Sequence, residues 1–138
     1  LRESQIAVFL AHRALWETCD QLDEPIVIFE HDATLLAPIG PPRFRYVLNL
    51  QRTSWDDPGF RYHTKMQALV DAKRSYGSAK YICLPGAAAY AITPEAARIL
   101  LRIRSLLPAD LFVNKYLLEI DDDPALPATV GHDFSLNI

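Results

Sequence analysis

The sequence is poor in several things, and each shortage narrows its reading. No apolar run approaches the ~20 residues that a membrane-crossing helix needs, so no span is expected. There are two cysteines, Cys19 and Cys83, and no CxxC pair. Neither a disulfide framework nor a thiolate metal site is indicated, and both are expected as reduced, buried thiols of a cytoplasmic-type protein. Basic charge is not in excess, with 14 Lys+Arg against 17 Asp+Glu and a net charge of −3. A nucleic-acid backbone is therefore not an expected partner. The only methionine is Met66, and Leu1-Arg2-Glu3 runs straight into helical periodicity. The chain is thus expected to be an excised piece of a longer protein, with any targeting signal outside it.

What is there suits one folded unit. Of the 138 residues, 50% are apolar and 22% charged, which excludes a disordered tail. The length fits a single domain over residues 1–138, whose core needs no disulfide or metal staple.

Residues 3–19 predict a helix, with Ile6, Phe9, Leu10 and Ala14 on one face. Val8, Leu15 and Trp16 add apolar character elsewhere, so the helix is expected to be buried. After a polar break, Pro25-Ile26-Val27-Ile28-Phe29 predicts a buried strand. It ends in Glu30-His31-Asp32. Residues 35–42 hold three prolines and a glycine and predict a loop. Further strands are expected over 44–50 and 80–84. Thr93, Pro94 and Glu95 mark a helix start, as cap, first-turn proline and dipole-matching acid. Ala96, Ile99, Leu100 and Ile103 would form its inner stripe. Asp110 is expected to cap a further helix through Leu118, and the acidic tail from Asp121 is expected to be irregular. Strands interleaved with helices predict an α/β domain, in which ligands bind outside the carboxyl ends of the strands. Glu30-His31-Asp32 lies at such an end.

On an extended chain, residues i and i+2 point the same way. Glu30 and Asp32 would then present two hard oxygen ligands to one side, a donor set suited to Mg²⁺ or Mn²⁺ completed by water and a substrate diphosphate. A solvated acidic loop has the same letters.

Three segments in order resemble glycosyltransferase family 25, the lipopolysaccharide-biosynthesis and collagen β-galactosyltransferase group. They are the helix from Glu3 to Trp16 with Ala11-His12 inside it, the strand Ile26-Val27-Ile28-Phe29-Glu30-His31-Asp32-Ala33, and Leu84-Pro85-Gly86-Ala87-Ala88-Ala89-Tyr90-Ala91-Ile92-Thr93-Pro94-Glu95 followed by Pro108-Ala109-Asp110. The resemblance implies a GT-A-like fold, a mixed sheet flanked by helices. It also implies transfer of a sugar, commonly galactose, from a UDP-sugar donor to a glycan or lipid-linked lipopolysaccharide acceptor. Glu30 and Asp32 match the family's divalent-metal motif, with Mn²⁺ expected and Mg²⁺ the alternative. His31 stands where the family more often has a second Asp. The family's opening strand, with its Asn-Leu-x-Arg-like segment, has no counterpart before the acidic motif, since Asn49-Leu50-Gln51-Arg52 lies after it. The fold is therefore expected to lack its N-terminal strand.

Residue by residue, the alternatives are open. Asp110 is a helix cap or the general base that an inverting transferase needs for the acceptor hydroxyl. His12 is a packed core histidine or a substrate-binding residue. Gly86 lets backbone approach a ligand or a neighbouring helix, and Tyr90 is a core aromatic or a substrate contact. Arg43, Arg45 and Arg52 would meet phosphate or form a solvated strand face. Trp55, Tyr62 and His63 would meet an acceptor sugar or give partial packing, and His132-Asp133 is a candidate for reaching back to the metal or diphosphate. A cytoplasmic enzyme working at the inner face of a membrane, with peripheral contact, is the expected setting. The other reading is a catalytically silent nucleotide-sugar or glycan-binding module, which the missing strand and His31 favour and the Glu-x-Asp pair and Asp110 oppose. A metal phosphohydrolase built on His31-Asp32 would need that pair on a helix rather than after a strand.

Overall fold

A computed structural model describes residues 2–39, 43–51, 77–79, 81, 83–84, 87–106, 108–123 and 130–132. The chain opens with helix α1 (Glu3–Leu22). At its start Gln5 Oε1 accepts the Arg2 backbone N–H at 3.0 Å, filling one of the donor sites that every helix N-terminus leaves open. The helix ends at Asp23, in the left-handed region with φ 52°, where its N–H closes onto the carbonyls of Cys19 and Asp20.

Four strands make one mixed sheet in the order β1-β4-β3-β5. Strand β1 (Ile26–Phe29) lies at the edge, antiparallel to β4 (Ala89–Ile92). Next to β4 runs β3 (Val47–Asn49), also antiparallel, and β5 (Ile120–Asp122) joins β3 in parallel. Strands β2 (Ala33–Leu35) and β6 (Val130–His132) form a separate antiparallel pair. Helix α2 (Pro94–Leu101) follows β4, and a single turn, α3 (Ala109–Phe112), comes after it. The expected α/β class holds, as a small mixed sheet of four strands with helices packed on it.

Strand β4 is the centre of the molecule, buried at all four positions. Its alternation sends Tyr90 and Ile92 into the main core beneath the helices, with Phe9, Trp16, Ile28, Leu100 and Phe112. Ala89 and Ala91 face a smaller cluster with Leu48 and Leu50. Phe9, Trp16 and Phe112 form an aromatic knot with centroids 5.1–6.1 Å apart. Both cysteines are buried, as expected.

Several expectations are corrected. Helix α1 is buried along one stripe only, Phe9, His12, Trp16 and Cys19. Val8, Leu10 and Leu15 are exposed, because sheet and α2 cover a single face. Strand β1 is half exposed through Val27 and Phe29, which alternate onto the sheet face away from the main core that Ile28 enters. The expected strand over 80–84 is reduced, among the described residues, to a single bridge between Cys83 and Asn114. Leu35 lies in a strand rather than a loop, and the tail contributes β5 and β6. The helix expected from Asp110 to Leu118 stops at Phe112, with Pro108 at its cap position. Asn114 ends it, its side chain accepting the Tyr116 N–H and donating to the Phe112 carbonyl, a local alternative to helical bonding. The start of α2 is as expected, with Thr93 Oγ1 accepting the Ala96 N–H at 3.3 Å and Pro94 in the first turn.

Gly77 sits at φ 88°, where an added Cβ would stand 2.3 Å from the Ile120 carbonyl oxygen. Backbone cannot yield as a flexible side chain can. Gly77→Ala is therefore expected to destabilise the fold by about 2 kcal/mol or more, read as a lowered urea midpoint. An unchanged midpoint would show that β5 is not held against Gly77.

Candidate functional site

The site forms where β1 runs out. The β1–β4 ladder extends one rung past Phe29, with the Glu30 N–H donating to the Ala88 carbonyl at 2.8 Å. The chain then folds back, and the Ala33 N–H reaches the Glu30 carbonyl at 3.1 Å. Glu30 to Ala33 is a tight turn, so the extended geometry expected for Glu30 and Asp32 is not what is found. Glu30 is partly exposed, at 24% for its side chain. Asp32 is buried, and His31 is on the surface.

Behind Glu30 stands a line of buried polar groups. His12, from the inward stripe of α1, brings Nε2 to 3.0 Å from Glu30 Oε1. Its Nδ1 lies 2.7 Å from the Tyr90 hydroxyl, and the two rings are nearly parallel, with centroids 5.7 Å apart. Trp16, one turn along α1, donates its indole N–H to the same hydroxyl at 2.9 Å. Tyr90 and Trp16 are fully buried and His12 nearly so.

The protons along this line can be ordered. Burial pushes the Tyr90 phenol well above its ordinary value; the Trp16 bond opposes this, and the charge of Glu30 adds to it. Tyr90 thus keeps its proton. Trp16 can only donate, which leaves the Tyr90 O–H proton available to His12 Nδ1, and with Nδ1 as acceptor every donor in the line meets an acceptor. The Nε2 position then carries the histidine proton and donates it to the carboxylate.

In front of Glu30 is an open cleft of about 270 Å³ lined by Ser4, Gln5, Val8, Glu30, Ala87, Pro108 and Ala109. It joins the first turns of α1, the end of β1, the approach to β4 and the start of α3. Ala87 takes φ 46°, unusual for a residue with a side chain. Its N–H closes a turn onto the Leu84 carbonyl at 2.9 Å. Gln51 supports the approach to β4, its buried side-chain oxygen accepting the Ala88 N–H at 3.1 Å.

Over residues 1–115 the chain matches the model of glycosyltransferase family 25, described as LPS biosynthesis protein. The chain belongs to glycosyltransferase family 25. No curated protein and no solved structure matches it. A family 25 member is a glycosyltransferase of lipopolysaccharide biosynthesis, which in general brings together a nucleotide-sugar donor and a glycan acceptor.

Set against that family, the candidate residues fall into groups. Glu30 lines the cleft, while His12 and Tyr90 reach it only through Glu30. Asp110 is the second residue of α3, directly after cleft-lining Ala109; its side chain lies outside the described residues. Gly86 lies outside them too, next to cleft-lining Ala87. Arg45 rests its guanidinium 4.6 Å from the centre of the Tyr46 ring and precedes β3. Arg52, Trp55, Tyr62, His63 and Asp133 fall outside the described residues, and only the backbone of His132 is described, in β6. Sequence reasoning missed Trp16, Gln51 and the α1 residues Ser4, Gln5 and Val8. Only Trp16 left a signal, lying one helical turn from His12 on the same face.

Proposed function

We propose that this family 25 protein transfers galactose from a UDP-sugar to a glycan or lipopolysaccharide acceptor, with help from a divalent cation and on a GT-A-like frame. The observation that carries the reading is the cleft in front of Glu30, walled also by Ala87 before β4 and by Pro108 and Ala109 at the start of α3, in a chain of glycosyltransferase family 25. Among the described residues no three His, Cys, Asp or Glu side chains gather as a metal cage. Glu30 is the carboxylate on the cleft wall, while Asp32, next but one along the turn, is buried and does not line the cleft. A single hard oxygen donor suits Mn²⁺ or Mg²⁺ held mainly by water and the phosphate oxygens of the UDP-sugar. Bound there, the cation would neutralise charge on a departing diphosphate.

The chain's own residues have separable tasks. Ala87, at positive φ, carries its backbone to the cleft wall, where a ligand can approach it closely. In the transfer, the acceptor hydroxyl attacks the anomeric carbon as the bond to UDP breaks, and the hydroxyl proton passes to a base. Asp110 is our candidate for that base. A lipid-linked acceptor would bring the protein to the cytoplasmic face of a membrane.

Calorimetric titration of the protein with UDP-galactose and with UDP, with and without Mn²⁺, tests this reading. Binding of both that strengthens about tenfold or more with Mn²⁺ is the expected result. Absence of binding by well-folded protein would sink the UDP-galactose assignment, and binding without transfer to any glycan would favour a silent module.

A further inference from the structure

We propose that Trp16, Tyr90 and His12 form a buried positioning chain that sets the tautomer of His12 and thereby aims the Glu30 carboxylate into the cleft. The proposal deepens the reading of Glu30 as the group that meets the donor complex, and it rests on that reading for its functional part.

The geometry carries the argument. Four groups stand in series at 2.9, 2.7 and 3.0 Å, from the Trp16 indole to the Tyr90 hydroxyl, His12 Nδ1 and Nε2, and Glu30 Oε1. One arrangement of protons lets every donor in the series meet an acceptor. An indole N–H cannot accept, a phenol that accepts from it has one proton left to give, and an imidazole that accepts at Nδ1 is protonated at Nε2. A carboxylate can only accept, so Glu30 Oε1 is taken up by His12, leaving Oε2 as the oxygen for a ligand. A core histidine with a purely structural role needs partners, but not a series whose direction is fixed from its buried end. The series also starts in the buried core, where Trp16 packs against both Phe9 and Phe112. Helix α1, strand β4 and the turn that follows β1 each contribute a member, so the carboxylate is referenced to two elements besides its own turn.

None of the three touches the cleft, so none is a catalytic residue; they act through Glu30. Outer partners that orient a ligating group are worth about 10–100-fold in metal affinity or activity. Tyr90→Phe removes the proton given to His12 Nδ1 while keeping the ring.

The test combines a spectroscopic reading with binding, on protein carrying ¹⁵N-histidine. Long-range ¹H–¹⁵N spectra recorded without metal should show His12, identified by the signal lost in His12→Gln, as one Nε2–H tautomer. In Tyr90→Phe the His12 signals should move towards a mixture of tautomers, and Mn²⁺-dependent UDP affinity should fall about tenfold. Trp16→Phe, which keeps an aromatic in the core, should move the same signals less, and it serves if Tyr90→Phe does not fold. A wild-type His12 that is protonated at Nδ1 overturns the proposal outright. So does a variant whose tautomer shifts while its UDP affinity is unchanged. Should wild-type protein bind no UDP at all, the UDP-sugar reading fails by itself, and the tautomer spectra still decide whether the chain of bonds exists.

Discussion

Glu30→Gln is expected to abolish most sugar transfer while leaving the fold intact. The amide keeps the length of the side chain and an oxygen that can accept from His12 Nε2, so the 3.0 Å bond can survive. What goes is the negative charge. Partners one shell away from a ligating group already cost about 10–100-fold when removed, so loss of the charge on Glu30, in its proposed role towards the cation, should cost at least about 100-fold in kcat/KM. The effect should be concentrated in the Mn²⁺-stimulated part of the rate. Glu30→Ala would be a poorer experiment, since it also strips His12 of its acceptor and leaves a buried N–H to be satisfied elsewhere. Radiolabelled transfer from UDP-galactose, with Mn²⁺ varied, is the assay. A Glu30→Gln protein that transfers at close to the wild-type rate would remove Glu30 from the reaction and with it the metal assignment.

The parts of this molecule that were legible in its sequence are those decided locally. Thr93-Pro94-Glu95 starts α2 because cap, proline and acid act within one turn. Glu30 lies at the mouth of a cleft because a β-branched apolar run ends there. Features settled by distant partners were not legible. Strand β4 reads poorly as a strand because Ala89 and Ala91 have low β-propensity; it forms because β1 and β3 flank it and its small side chains suit a thin second core. Strand β5 hides behind Asp121 and Asp122, whose carboxylates accept from the Ser78 backbone N–H and the Asn49 side-chain amide. In α1 the true inward stripe contains His12, so a search for apolar periodicity chose the neighbouring face. That same histidine meets Tyr90, 78 residues away in sequence, and no local pattern announces such a pairing. In the sequence Glu30 and Asp32 are candidates alike; the turn at 30–33 puts Glu30 on the cleft and buries Asp32. The buried groups behind Glu30 could not be put in order.

Trp16→Ala should be the most damaging single change to stability. The side chain is wholly buried, edge-on to Phe9 at 6.1 Å and stacked on Phe112 at 5.5 Å. Deleting a buried aromatic of this size costs about 3–5 kcal/mol, and the Tyr90 hydroxyl loses its donor as well. A domain of this size has about 5–15 kcal/mol in total, so most of the margin could go, with a fall in Tm on the order of 10 °C or more. Trp16→Phe separates the two contributions. It keeps ring packing against Phe9 and Phe112 but removes the N–H, and should cost about 1–2 kcal/mol. Urea unfolding followed by far-UV circular dichroism measures both. A Trp16→Ala loss below 1 kcal/mol would mean that the aromatic knot is not what joins α1 to the sheet, and Glu30 would then need some other support than the helix behind it.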